Sequence, residues 1–413
     1  MFLSSVQAAE KRLRDLFPPT PLEFSKRLSD KYHAKIYLKR EDLSPVRSYK
    51  IRGAFTLISL LTDAERKRGV VCASAGNHAQ GVAFSCAYYK IPGKIFMPVT
   101  TPFQKIEKTK FLGKEFVEVI LIGDIFDEAY TASAEYCKKE KMTFVPPFDD
   151  EKIMVGAGTV GLEITKQLPQ KIDYFLVPVG GGGLAAGMSE FFHGQDPSAK
   201  IICVEPSGAT TLKTSLDAGK VTPLDTVNTF VDGAAVKKIG TKTFAILKKR
   251  ITEKVLAIPE NRICATMLDL LFYEGIVVEP AGALSVDALK DLSLKDIKGK
   301  TLVCIVSGGN FDFDRLPDVK ERAMKYSGLK KYFILRLPQR PGALKGFLDL
   351  LGADDDISRF EYLKKSSKTF GSVLLGIETK DPKNFPHLFA RMKKAGFGYQ
   401  DVTEDEILAD FVI

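Results

Sequence analysis

Four consecutive glycines, Gly180, Gly181, Gly182 and Gly183, follow the apolar run DYFLVPV and precede LAAGMSEFF, which reads as the start of a helix. A backbone without Cβ atoms can turn several N–H groups toward one point at a helix start, and that makes an anion site. Phosphate is the natural guest. A merely flexible turn is the ordinary alternative, and the apolar strand before it and the helix after it argue against that. The spacing Gly180-x-Gly182-x-x-Ala185 also fits a dinucleotide fingerprint, with Glu205 standing about where a ribose-binding acid belongs. The loop alone leaves two chemistries open: a nicotinamide-dependent oxidoreductase, or an enzyme of another phosphorylated cofactor.

Three further segments bear on the choice. Lys50 lies in SYKIRGAF (48–55). A lysine acts as nucleophile or base only when its amine is neutral, and an arbitrary lysine is simply solvated. SAGNHAQG (74–81) follows the strand-like VVCAS, and SGGN (307–310) closes the apolar run TLVCIV. A Ser-Gly turn ending a strand is commonplace by itself. In this order, over about 260 residues, the four segments resemble those of the fold-type II (tryptophan synthase β-like) pyridoxal-phosphate enzymes, most closely the threonine dehydratases.

The resemblance implies a role for each residue. Lys50 would carry pyridoxal 5'-phosphate as a Schiff base and act on the substrate's α-proton. Asn77 would hydrogen-bond the phenolic oxygen of the cofactor. Backbone N–H groups around Ser74, Ala75, Gly76, Asn77 and His78 would hold the substrate carboxylate at a helix start. His78 is given no general-base task. Gly180 to Gly183 with Leu184 would cradle the cofactor phosphate, and Ser307 would face the pyridine nitrogen, leaving it neutral and favouring elimination. VDGAAV (231–236) and VEPAGA (278–283) match family segments near the cofactor without specific roles. Some relatives place a cation at the position of Glu205, with a second acid six residues on. Thr211 stands there in this chain, so no metal is expected. Sulfide-using β-replacement relatives carry Asp after the lysine, and serine racemases carry Ser at the position of Ala75. The implied reaction is therefore deamination of L-threonine to 2-oxobutanoate and ammonia, with L-serine a further candidate substrate. A catabolic serine/threonine dehydratase is the runner-up within the family.

These residues need a scaffold. Strand-like runs at 35–41, 70–74, 94–99, 118–123, 173–179, 200–206 and 301–309 alternate with amphipathic segments such as 77–89, 102–112 and 261–275. Several runs are apolar throughout, as strands covered on both faces should be. The pattern predicts an α/β catalytic region over 1–312 with mostly parallel sheets, too large for one core and so two-lobed. A polar stretch, 313–330, reads as a linker with a helical turn or more. Over 331–413 the order is strand 331–338, helix 341–351, strands 357–365 and 370–380, helix 384–395 and strand 398–403, the ferredoxin-like βαββαβ arrangement. Pro341 could open its first helix and Gly352 close it. FILRLPQRPGALKGFLDLLG (333–352) and DDDISRFEYLKK (354–365) resemble the ACT-like regulatory domain of biosynthetic threonine dehydratases, in one copy. That resemblance implies isoleucine, and possibly valine, as effectors, and the first step of isoleucine biosynthesis. A homodimer or homotetramer is expected. A C-terminal domain serving only oligomerisation and a non-catalytic amino-acid-binding regulator are the alternatives.

The bulk properties agree. Among 413 residues 45% are hydrophobic, enough for substantial cores. No run approaches the roughly 18 apolar residues that span a bilayer. The N-terminus lacks the apolar segment of a signal peptide, so a cytoplasmic protein is expected. The net charge of +9 is scattered, which argues against a nucleic-acid partner. Six cysteines without C-x-x-C pairs and four histidines without ligand spacing read as free buried thiols and no zinc site.

Overall fold

The computed structural model describes residues 1–251, 253–363 and 369–405 and divides into two compact units, Met1–Phe311 and Asp312–Ile413. Ten strands build the first unit: β1 (Leu22–Phe24), β2 (Lys35–Arg40), β3 (Val70–Ala73), β4 (Gly93–Met97), β5 (Val117–Leu121), β6 (Thr143–Phe144), β7 (Tyr174–Pro178), β8 (Lys200–Pro206), β9 (Leu256–Ile258) and β10 (Thr301–Val306). One sheet runs β1-β2-β10-β7-β8-β9 and the other β5-β4-β3-β6. Every pairing is parallel except that of β1 with β2. All six residues of β10 and all four of β3 are buried, so helices cover both faces and a continuous apolar run is what the position requires.

Each sheet has its own core. Phe175, Val177, Phe191 and Val303 belong to one, and Val70, Cys72, Ile95 and Met97 to the other. All seven expected strands form, and the segments 77–89, 102–112 and 261–275 become the helices Asn77–Tyr89, Phe103–Gly113 and Glu260–Glu274. Three strands escape the sequence pattern. β1, β6 and β9 have only two or three residues each, too few to show a period of two.

The seam between the lobes is formed by the helices Lys50–Ser59 and Glu151–Gln167. The second has Ile153 in one core and Met154, Val155 and Val160 in the other. Where the two helices touch, a Cβ on Gly156 would run into the carbonyl oxygen of Arg52. Arg52 itself is wholly buried and lies between two carboxylates. Its Nε donates to Glu41 (2.6 Å) and its Nη1 to Glu163 (2.7 Å) and to Thr159 (3.0 Å). Lys39, also fully buried, donates to Glu163 at 2.7 Å.

The second unit is an antiparallel sheet, β12 (Asp356–Leu363), β13 (Phe370–Glu378), β11 (Lys330–Pro338) and β14 (Gly398–Asp401) in spatial order. With helices Ala343–Leu348 and Asn384–Lys394 it forms a ferredoxin-like βαββαβ module around Phe333, Phe347, Leu375 and Leu388. Three details differ from the sequence reading. Most of the stretch read as a linker is the helix Leu316–Tyr326, tied to this sheet because Lys330 bonds both Glu321 (2.6 Å) and Glu378 (2.9 Å). The first helix of the module starts only at Ala343, because Gly342 takes φ +79°, so Pro341 does not open it. It ends at Leu348, short of Gly352. The ends of two expected strands, at 364–365 and 402–403, are respectively outside the described residues and beyond β14.

Gly156→Ala should push the lysine helix off its neighbour and cost about 1–3 kcal/mol, the usual range for overpacking a tight contact. Urea denaturation of the two forms measures it.

Candidate active site

The lysine motif and the serine motif, far apart in sequence, meet through backbone. β2 and β10 pair in parallel, and beyond their ends Tyr49 N–H donates to the Ser307 carbonyl (3.1 Å) and Gly309 N–H to the Arg47 carbonyl (2.8 Å). Lys50 then opens its helix at the cleft, half-buried, with Nζ donating to the Pro147 carbonyl at 2.9 Å. Burial lowers the pKa of this amine to about 8, and the negative charge of Glu279 pulls the other way. At pH 7 roughly a tenth of the molecules then carry the neutral amine, against fewer than about one in a thousand for an ordinary lysine.

The asparagine loop lies across the cleft. Gly76 precedes the helix Asn77–Tyr89 with no side-chain cap, so the first amides of that helix have no partner of that kind. A Cβ on Gly76 would meet nothing within 4 Å: the space above the loop is open. Ser74 Oγ accepts from Gly76 N–H (3.2 Å), and Ser74 to Asn77, Ala75 included, are half-buried. His78 is buried, and its Nε2 makes a 2.8 Å bond to the Val145 carbonyl, which can only accept. Burial first and the Lys50 charge second depress its pKa to about 3. This ring is a neutral pin between loop and sheet and not a proton carrier at neutral pH.

The glycine loop turns after β7. Gly182 sits at φ +88°, and the helix Gly183–Gln195 begins at once. The carbonyls are turned away from the cleft, that of Gly181 accepting from Thr243 Oγ1 (2.7 Å) and that of Gly180 from Thr211 Oγ1 (3.3 Å). The amides at Gly183 and Leu184 are then the uncapped donors of a helix start. A Cβ on Gly181 would drive into the Phe148 ring, so the loop and the ring approach this closely only because Gly181 has no side chain. Ser307 is buried at the end of β10, its Oγ donating to the Ala281 carbonyl at 3.2 Å, a bond long enough to be exchanged for a better partner. Lys50, Tyr49, His78 and Gly183 line one cavity together with Pro147 and Ile153.

Sequence reasoning passed over several contributors. Phe148 packs on the glycine loop, and Asp149 accepts from the amides of Thr241 (2.9 Å) and Lys242 (2.8 Å), fixing the helix that holds Thr243. The signal available was the run VPPFDD (145–150), whose paired prolines imply a rigid turn. Glu279 and Asn310, both bonded to Asn77, lie in motifs that were noticed without a role. Glu205 is fully buried, and its carboxylate accepts from Leu212 N–H (2.7 Å) and Lys213 N–H (2.9 Å). Burial nonetheless pushes its pKa up to about 7. Its oxygens cap the helix Thr211–Asp217. Among the described residues no group of three or more His, Cys, Asp or Glu could hold a metal ion.

An amine of lowered basicity beside a glycine-built helix start, with a buried hydroxyl at the end of the strand that pairs next to the lysine motif, fits a phosphorylated aldehyde cofactor. Residues 13–308 match the model of the pyridoxal-phosphate dependent enzyme family, and the chain belongs to that family. Residues 321–412 match the C-terminal regulatory domain of threonine dehydratase, which sets the branch. Over the full length the chain is 50% identical to the biosynthetic L-threonine dehydratase IlvA of Halalkalibacterium halodurans across 412 residues, 100% of this chain and 99% of that protein. It is 48% identical to the Bacillus subtilis protein of the same name, over 98% of this chain and 96% of that one. The solved structure of processed threonine deaminase isoform 2 from Solanum lycopersicum superposes with a TM-score of 0.74 at 39% identity, over 78% of this chain and 92% of that chain.

Capture of pyridoxal 5'-phosphate by the apo-protein needs the unprotonated Lys50 amine. Its rate should therefore rise with pH and level off above about 8, where an ordinary lysine would still be climbing at 10. Stopped-flow absorbance across pH 6–10 reads the midpoint. Gly181→Ala, which puts a methyl into Phe148, should weaken cofactor binding by about tenfold or more, a loss of at least ~1.4 kcal/mol.

Proposed function

We propose that this protein is an L-threonine ammonia-lyase dependent on pyridoxal 5'-phosphate, releasing 2-oxobutanoate and ammonia as the first step of isoleucine biosynthesis. The observation that carries the reading is the meeting of Lys50, His78 and Gly183, one residue from each of three motifs, at one cavity, in a chain similar along its whole length to biosynthetic threonine dehydratases. Residues 1–312 are the catalytic region and 331–413 the regulatory module, with 313–330 between them.

Within the cleft Lys50 is the amine that holds the cofactor. Gly180 to Gly183 and Leu184 bind its phosphate, Asn77 its phenolic oxygen, and Ser307 its pyridine nitrogen. When bound, the cofactor supplies an electron sink for charge developing at the substrate α-carbon. The amides of Ser74 to His78 grip the substrate carboxylate at the positive end of the helix Asn77–Tyr89. That grip sets the α-hydrogen toward Lys50, whose low basicity lets the freed amine exist neutral and take the proton. Ala75 has no proton to return on the opposite face, so elimination proceeds without racemisation. The β-hydroxyl leaves as water, its added proton balancing the one taken from the α-carbon, and the enamine released hydrolyses to the oxo acid and ammonia. L-serine, lacking only the γ-methyl, can follow the same course.

The second unit is the regulatory domain, and isoleucine is its proposed effector, with valine as a second candidate. The turn Arg340-Pro341-Gly342 before its first helix is the proposed region of contact. The enzyme is proposed to work as a homodimer or homotetramer in the cytoplasm, where its six buried free cysteines stay reduced.

The test is 2-oxobutanoate release from L-threonine by the cofactor-loaded protein, with and without isoleucine. Release that isoleucine suppresses supports both halves. Release indifferent to isoleucine removes the effector assignment, and no release removes the reaction. Lys50→Ala should lower turnover by at least about a thousandfold and abolish the lysine-linked chromophore.

A further inference from the structure

Three segments near the cleft, VDGAAV (231–236), VEPAGA (278–283) and the Gly308-Gly309 pair, have no task in the reaction as derived above. The structure brings all three to one carboxylate. Glu279 stands at the start of the helix Pro280–Asp287 and is 5% exposed. Its Oε1 accepts from Asn77 Nδ2 at 2.7 Å, and the backbone N–H of Asn310 donates to the same carboxylate. A Cβ on Gly308 would collide with Oε1, and one on Gly233 would come within 3.2 Å of it. Glycine at 308 leaves room for this acid, and at 233 a side chain would crowd both it and Ala281.

Asn77 is held from its other side as well. Its Oδ1 accepts from Asn310 Nδ2 (2.6 Å), which also donates to the Val46 carbonyl (2.9 Å). Asn310 Oδ1 in turn accepts from the Lys108 ammonium. A lysine ammonium can only donate and an ionised carboxylate can only accept. The ends of this chain therefore dictate every orientation between them. Lys108 turns the oxygen of Asn310 toward itself, so the nitrogen of Asn310 faces Asn77 and the nitrogen of Asn77 faces Glu279. Reversing the Asn77 amide would set donor against donor at Asn310 and acceptor against acceptor at Glu279, each a loss of about 1–3 kcal/mol in a buried site. One N–H of Asn77 remains for a ligand in the cleft.

We propose that Glu279 is a positioning residue for the reaction, fixing the Asn77 amide so that it offers the cofactor an N–H and not a carbonyl. The inference rests on the assignment of Asn77 to the cofactor's phenolic oxygen. That oxygen carries partial negative charge when the cofactor is bound, so a carbonyl presented to it would repel where an N–H attracts. Glu279 also faces Lys50 electrostatically, with Asp232 and Lys105 as the other charged neighbours of its site. Burial and then the Asp232 charge push its pKa up to about 7, while Asn77, Lys105 and the Asn310 N–H favour the ionised form that accepts from Asn77.

Titration of apo-protein with pyridoxal 5'-phosphate, followed by the visible absorbance of the lysine-linked chromophore, tests this in the wild type, E279A, N77A, the double variant and E279Q. E279A is expected to weaken cofactor binding about tenfold and shift the absorbance maximum, the scale of one charge-assisted hydrogen bond. The double variant should bind within about twofold of N77A alone, because the two residues act through one contact. E279Q, whose amide oxygen still accepts from Asn77, should recover binding to within about threefold of wild type. Losses that multiply in the double variant, or an E279Q as weak as E279A with an unshifted spectrum, overturn the proposal. If E279A does not fold, E279D takes its place in the same cycle, its carboxylate one methylene too short for Asn77. A wild type that forms no lysine-linked chromophore would overturn the cofactor reading and this inference with it.

Discussion

Everything at the cleft depends on a charge cluster that never sees solvent. Arg52, two residues along the helix from Lys50, is gripped by Glu41 from the end of β2 and Glu163 from the seam helix, and Glu163 is shared with Lys39. All four side chains are at most 1% exposed. Two buried cations face two anions, Arg14 reaches Glu163 as a third cation from the rim, and Thr20 and Thr159 hydroxyls satisfy remaining positions. The arginine charge holds the Glu163 carboxyl well below its ordinary range, against the opposing effect of burial. Such a cluster is weak evidence for stability, because desolvation offsets most of the attraction. Removing one member is another matter, costing about 3–5 kcal/mol for the charge left unpaired. Its structural effect is to tie β2, the lysine helix and the seam helix into one rigid piece.

That cluster also explains why the site could be found in the sequence at all. Arg52 and Gly53 follow Lys50 for reasons of packing and charge, and a motif imposed by several constraints at once seldom arises by chance. The glycine loop is legible for a similar reason, since no side chain fits between it and Phe148. The strands with apolar runs, and the βαββαβ order of the second unit, were equally plain. What stayed hidden was pairing over long distances. Nothing local in VEPAGA says that Glu279 meets Asn77, and nothing in VPPFDD says that Pro147 offers its carbonyl to Lys50. Thr243 braces the glycine loop from some sixty residues away and is itself held by Asp149, some ninety residues before it. The helix Leu316–Tyr326 was under-read because its stripe of apolar residues is narrow, only Val319 and Ala323 being buried.

The cleft separates two acids by environment. Glu279 and Glu205 are both buried, and both have pKa values pushed up to about 7 by that burial. Glu205 spends its oxygens on the amides of a helix start, whereas Glu279 binds side chains that reach the cleft. Beside them Lys50 is made less basic and His78 is kept neutral, so of the two basic side chains lining the cavity the lysine is the one that can exchange a proton near neutral pH.

The position of β10 has a consequence for the order in which the molecule can be made. It pairs with β2 on one side and β7 on the other, at the middle of the six-stranded sheet, yet it is the last strand of that sheet to be synthesised. Until it emerges from the ribosome, β2 and β7 each present an open edge, and unpaired edges invite association between chains. The nascent polypeptide must therefore carry an unfinished sheet through nearly the whole synthesis of its first unit. Closure then comes late, through contacts of very long sequence separation, which are the slow kind. The same insertion delivers Ser307 to the lysine motif, so the unit acquires its central strand and its reactive centre in a single event.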